Sequence, residues 1–93
     1  MNESKFAAYV GFAQKSGKIV YGAEKIEECA VKCKVVVADA DAPEKFRVKL
    51  QRICGDTPYF EVGSLSGATH RDNVKAIAVT DKSLADAIIN VLR

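Results

Sequence analysis

The run Lys34-Val35-Val36-Val37-Ala38-Asp39 restricts the fold more than any other stretch of the chain. Successive side chains of a strand point to opposite faces, so three adjacent valines put β-branched apolar groups on both sides of a sheet. Such a strand is stable only when other elements cover each face. The remaining residues must therefore supply two covering layers and further strands. A chain of 93 residues, 48% apolar and 28% charged, can build one hydrophobic core and not two, which predicts a single domain over residues 1–93.

The segments on either side of the valine run supply those layers. A first helix is expected from about Ser4, as N-cap, to Ser16, with Phe6, Tyr9, Val10 and Ala13 as its apolar stripe. Gly17 suits the left-handed position after its end. Lys18 to Tyr21 is too short for anything but an edge strand, and a second helix is expected from Ala23 to Cys33. After the valine strand, Asp41 or Ala42 precedes a third helix with Pro43 in its first turn, where a missing N–H costs little. Phe46, Leu50, Ile53 and Cys54 form its buried side; Lys45, Lys49 and Arg52 share its polar side. Tyr59 to Val62 reads as a second central strand. Gly63 to Asn73 reads as either a short helix from Ser64 to His70 or a loop, and Val74 to Thr80 as a third strong strand. Asp81 or Thr80 caps a last helix with Leu84, Ala85, Ile88, Val91 and Leu92 on its inner face. Helices and strands thus alternate throughout, the pattern of a sheet held between helices in an α/β/α sandwich.

Several function classes are disfavoured. The longest apolar runs fall far short of a membrane span, and Met1-Asn2-Glu3-Ser4-Lys5 leads into a helix without signal-peptide anatomy, so a cytoplasmic protein is expected. Cys29 and Cys33 have the i, i+4 spacing of two metal ligands, but Ile26, Cys29, Ala30 and Cys33 also form a continuous apolar face. Burial explains both thiols, and free thiols suit a reducing compartment. Ser16-Gly17-Lys18 lacks the upstream glycine spacing of a phosphate-binding loop. With no recognisable nucleophile or metal constellation, no catalytic residue, metal site or cofactor is assigned. The net charge of +2 does not by itself demand a nucleic-acid partner, so any basic footprint must come from clustering.

The junction from Ser16 to Ile26 is the richest candidate site. One helix stops, a short extended run follows, and Gly22 opens a new helix while allowing another backbone close approach. The unpartnered first-turn amides of that helix, with Lys15, Lys18 and Lys25 expected around it and Glu24 as a fixed acceptor, suit nucleic-acid edges and phosphates. The same residues also fit an ordinary helix junction with solvated charges.

The blocks Ala13-Gln14-Lys15-Ser16-Gly17-Lys18 and Ala78-Val79-Thr80-Asp81-Lys82, with Gly22-Ala23-Glu24 and the valine strand between them, resemble one family. It is the kink-turn RNA-binding ribosomal protein family of the L-seven-Ae and L-thirty-e type, and the likeness is closest to its small bacterial YlxQ-like members. The resemblance runs from Phe6 to Leu92 and implies a mixed four-stranded sheet between helices. It also implies a non-catalytic protein that binds a kink-turn, an RNA bend with tandem sheared G·A pairs beside a bulge, and associates with the ribosome. By that resemblance the backbone of Gly22, Ala23, Glu24 and Lys25 seats the groove, Glu24 and Lys25 touch bases, Lys15 and Lys18 hold phosphates, and Leu65, Gly67, His70 and Arg71 belong to a loop beside the bulge; on composition alone, His70 and Arg71 read equally as a solvated loop end. Asp39 and Asp41 fall in the family's acidic segment after the first core strand; Asp41 reads as part of an Asx-type turn, and Asp39 stays open between that turn and an RNA contact. The sequence departs from the family at Glu28, which stands where a lysine is expected, and in the shortened segment after Leu65. Glu24, Glu27 and Glu28 make that helix acidic, which favours a second reading: a protein-interaction module on the same fold.

Overall fold

In the computed structural model, which describes residues 2–93, the chain runs α1 (Glu3–Lys15), β1 (Ile19–Tyr21), α2 (Ala23–Glu28), β2 (Val35–Asp39) and α3 (Glu44–Cys54). It continues through β3 (Tyr59–Val62), α4 (Leu65–Thr69), β4 (Ala76–Val79) and α5 (Lys82–Leu92). The strands form one mixed sheet in the order β1-β4-β2-β3. Strand β4 is antiparallel to β1 and to β2, and β2 is parallel to β3 with α3 as the crossover. No helix among the described residues is long and apolar enough to cross a membrane.

The valine run behaves as its composition demands. Val35 and Val37 join Ile77 and Val79 of β4 beneath Phe6, Val10, Ala13, Leu65, Ala85 and Ile88 of α1, α4 and α5. Val36 and Ala38 join Ala76 and Ala78 on the opposite face, beneath Ile26 of α2 and Leu50 and Cys54 of α3. The period of two has split one strand between two cores, which is the three-layer sandwich. Each fully buried valine contributes about 1.5–3 kcal/mol relative to an exposed one.

Local chemistry explains where elements start and stop. The N-cap of α1 is Asn2, not Ser4: its Oδ1 accepts from the Lys5 amide at 3.0 Å, and the helix begins at Glu3. Gly17, at φ 69°, ends α1 with Lys18 N–H donating to Ala13 O at 2.9 Å and Gly17 N–H to Gln14 O at 3.3 Å, a Schellman closure. Asp81 caps α5 through the Leu84 amide at 2.9 Å.

Other features differ from the sequence reading, among them strand β4, which runs Ala76–Val79 and not Val74 to Thr80. Helix α2 stops at Glu28 instead of Cys33, although this leaves Glu27 and Glu28 at the negative end of the helix. Tight turns then carry the chain to Cys33, whose side chain is buried all the same. Strand β3 lies at the sheet edge rather than centrally, with Glu61 exposed and Tyr59 and Phe60 half-buried. Pro43 is the residue before α3, with extended ψ of 143°, and the first helical turn begins at Glu44. The ambiguous segment after Gly63 resolves as the helix α4.

Candidate nucleic-acid interface

One end of the sheet gathers most of the expected site. Strand β1 ends there in Tyr21, β2 in Asp39 and β3 in Val62, while β4 begins there at Ala76. Gly22 turns the chain from β1 into α2 at φ 84°, a conformation that side-chain-bearing residues rarely adopt. Its N–H donates to Ala76 O at 3.0 Å, so it is occupied by the sheet and not free for a ligand. The first amide in the helical ladder is that of Ile26, which donates to Gly22 O at 3.0 Å, so the Ala23, Glu24 and Lys25 amides precede the ladder.

A cleft of about 360 Å³ opens beside Gly22, lined by Tyr21, Phe46, Arg71, Asn73 and Lys75 among others. Arg71 lies with its guanidinium carbon 4.2 Å from the centroid of the Tyr21 ring, a cation–π contact that fixes a positive charge over the cleft. Tyr21 is held in turn by Gln14, whose Nε2 donates to Tyr21 Oη at 2.9 Å and to Thr69 O at 2.7 Å. One amide thus ties α1, β1 and the end of α4 together beneath Arg71. His70 and Asn73 flank Arg71 in left-handed conformations, with φ of 56° and 60°. Strained backbone of this kind clusters in binding loops held by a rigid surround.

The expected site residues separate into groups. Gly22, Ala23, Glu24, Lys25, His70 and Arg71 meet at this end of the sheet; Glu24, Lys25, His70 and Arg71 are exposed. Lys25 Nζ lies 3.6 Å from Glu28 Oε2, so the acidic residue at the departure from the family pattern draws on the neighbouring lysine. Lys15 and Lys18 do not surround the start of α2: Lys18 O accepts from Thr80 N at the opposite end of β1. At strand rise, that separates Lys18 from Gly22 by roughly 13 Å of backbone.

Leu65 is fully buried, so its side chain is part of the core and not of a binding surface. Asp39 is a structural group: Oδ1 accepts from the Asp41 amide at 2.8 Å and Oδ2 from the Leu65 amide at 3.1 Å. It closes an Asx turn and anchors the first turn of α4 in one step. Gly67 is exposed but lines a different cleft, with Glu3, Phe6 and Ala7, where an added Cβ would meet Ser64 Oγ at 2.7 Å. Tyr21, Phe46 and Lys75 were not anticipated in the site. Their partners lie tens of residues away in sequence: the β1–β4 pairing brings Tyr21 beside the segment that holds Lys75, and packing of α3 on the sheet brings Phe46. Gln14 lies inside the motif block Ala13–Lys18, the one signal that marked it.

Cys33 and Cys54 are buried and Cys29 half-buried in the α2/α3 layer. Burial pushes the Cys54 thiol up to about 11, with neighbouring Cys33 adding to the effect. No group of three or more His, Cys, Asp or Glu among the described residues is placed to hold a metal ion.

No family model matches the sequence, and no curated protein matches it. Solved structures do. A protein of unknown function from Bacillus halodurans superposes with a TM-score of 0.87 at 21% identity, over 95% of this chain and 96% of that one. A 15.5kD RNA binding protein from Giardia lamblia superposes with a TM-score of 0.77 at 19% identity, over 95% of this chain and 82% of that one. At these identities the likeness is one of fold.

Proposed function

We propose that this chain is a non-catalytic binder of structured RNA, reading a kink-turn through the Gly22 end of the sheet in the manner of the YlxQ-like ribosomal proteins it resembles. The carrying observation is the cleft in which Gly22 leaves backbone room for a ligand while Arg71 and Lys75 supply cations from the facing segment. The shared fold with an RNA binding protein from Giardia lamblia supports the same reading. Glu24, exposed in the first turn of α2, accepts from guanine amino or imino groups opened by a sheared pair; Arg71 and Lys75 donate to guanine edges or phosphates. Ribosome association belongs to this reading as the setting in which such an RNA bend occurs.

The test is titration of a fluorescent kink-turn RNA beside a control with both G·A pairs disrupted. Wild type binds the intact RNA selectively, and affinity falls with salt at a log–log slope of about 0.7–0.9 per phosphate contact. Glu24→Ala keeps the salt slope and loses the preference for intact G·A pairs, by roughly 1–3 kcal/mol of discrimination. Unchanged relative affinities in that variant would remove Glu24 from the site.

One observation favours the second reading, a protein-interaction module: α2 carries three glutamates and one lysine, and Lys25 is paired with Glu28. No RNA binding even at low salt would select it.

A further inference from the structure

Charge is distributed unequally between the two helices of the outer layer. Helix α3 carries Lys45, Arg47, Lys49 and Arg52 against Glu44, four cations and one carboxylate, for a net +3. The whole chain, with 14 cations and 12 carboxylates, is only +2, so everything outside α3 sums to −1. Helix α2 beside it, with one lysine against three glutamates, is −2. A polyanion approaching the Gly22 cleft therefore meets repulsion from α2 and attraction from α3.

Arg47 is committed to the fold. Its Nε donates to Ala42 O at 2.9 Å and its Nη1 pairs with Glu61 at 3.1 Å. Lys45, Lys49 and Arg52 are exposed, and among the described residues none of them has a carboxylate within salt-bridge distance. At i, i+4 and i+7 they lie along one helix face, spanning roughly 10 Å. With Glu44 and Val48 they border a shallow depression of about 310 Å³ on the outer surface of α3. Helix α3 itself links this face to the candidate site: Phe46, next to Lys45 in the chain, lines the Gly22 cleft.

We infer that the outer face of α3 is a second phosphate-binding stripe, on which Lys45, Lys49 and Arg52 hold the backbone of an RNA helix leaving the Gly22 cleft. The inference rests on the RNA reading above and adds to it where the affinity resides. Base discrimination sits at Gly22 to Lys25 and Arg71, whereas the sequence-independent attraction that α2 lacks comes from α3.

The experiment compares wild type with the triple variant Lys45→Gln/Lys49→Gln/Arg52→Gln, its fold checked by circular dichroism. Each is titrated across salt against a kink-turn RNA with long flanking helices, a minimal-stem version and a G·A-disrupted control. On the long RNA the triple variant binds roughly tenfold more weakly at low salt, and its log–log slope is shallower by roughly 2 to 2.7. Its preference for intact G·A pairs is unchanged, and the charge-retaining Lys45→Arg/Lys49→Arg variant keeps the wild-type slope. If wild type discriminates the G·A pairs while the triple variant matches its affinity and slope, the α3 stripe is wrong and the RNA reading survives. If wild type binds none of the RNAs, both fall. If the substitutions alter only sedimentation, α3 is a contact between copies and the inference is overturned.

Discussion

Gln14 has more leverage than its size suggests. A single Nε2 group joins the hydroxyl of Tyr21 to the carbonyl of Thr69, and Arg71 rests on the ring so held. Gln14→Ala removes both bonds and leaves a partly buried carbonyl without its donor, which costs about 1–3 kcal/mol in chemical denaturation. The 69–71 segment then loses its order, visible as faster amide exchange at His70 and Arg71. Glu at this position should not rescue, since a carboxylate cannot donate to Thr69 O. Nothing about Gln14 in isolation reveals this role, because its partners are 7 and 55 residues away. Asp39 was ambiguous in sequence for a related reason: an acidic turn residue reads alike whether its oxygens face a ligand or the main chain. Leu65 shows the converse, since a motif match marks a position in the chain and not the direction of its side chain.

At the scale of elements, periodicity was a sound guide wherever a face was buried and a poor one elsewhere. The valine strand, β4, α3 and α5 all declared themselves through apolar spacing, because packing on a core imposes that spacing. Helix α2 is shorter than its apolar pattern, since Cys29, Ala30 and Cys33 continue that pattern into tight turns that bury Cys33 without a helix. Strand β3 lies at the sheet edge although Tyr59 and Phe60 are as apolar as central residues, and its outward Glu61 is held by Arg47 and Tyr59. The α3–β3 edge also sets a pH limit. Burial and the Glu61 hydrogen bond at 2.8 Å push the Tyr59 hydroxyl up to about 12, and burial pushes Cys54 up to about 11. Both groups hold their protons more tightly folded than unfolded, from ordinary values of 10.0 and 9.0. The stability this linkage provides is intact below pH 9 and is lost as pH rises through 11 to 12. Denaturant midpoints should therefore fall steadily from pH 9 upward, and Tyr59→Phe should flatten the steeper, upper part of that fall.

For the molecule as a whole, the cleft is assembled from segments about fifty residues apart, Tyr21–Gly22 and Arg71–Lys75, joined through the β1–β4 pairing. A ligand gripping both sides holds β1, a half-buried strand of three residues, against the sheet. Kink-turn RNA at about a hundred times its Kd should stabilise the fold by about 2.7 kcal/mol, a rise of roughly 10–20 °C in Tm for a domain of this size. The G·A-disrupted RNA should leave Tm almost unmoved, and equal shifts from both RNAs would deny selectivity. The unequal paving of the two sheet faces has a consequence for how such a chain can drift over generations. Under α1 and α5, Val35, Val37, Ile77 and Val79 can trade volume among themselves in either direction. Under α2 and α3, beside the single valine Val36, lie Ala38, Ala76 and Ala78, which have almost nothing to give and can only grow. Enlarging any of them lifts Ile26 or Leu50, and with it the helices bordering the cleft, so mutational freedom on that face is one-sided.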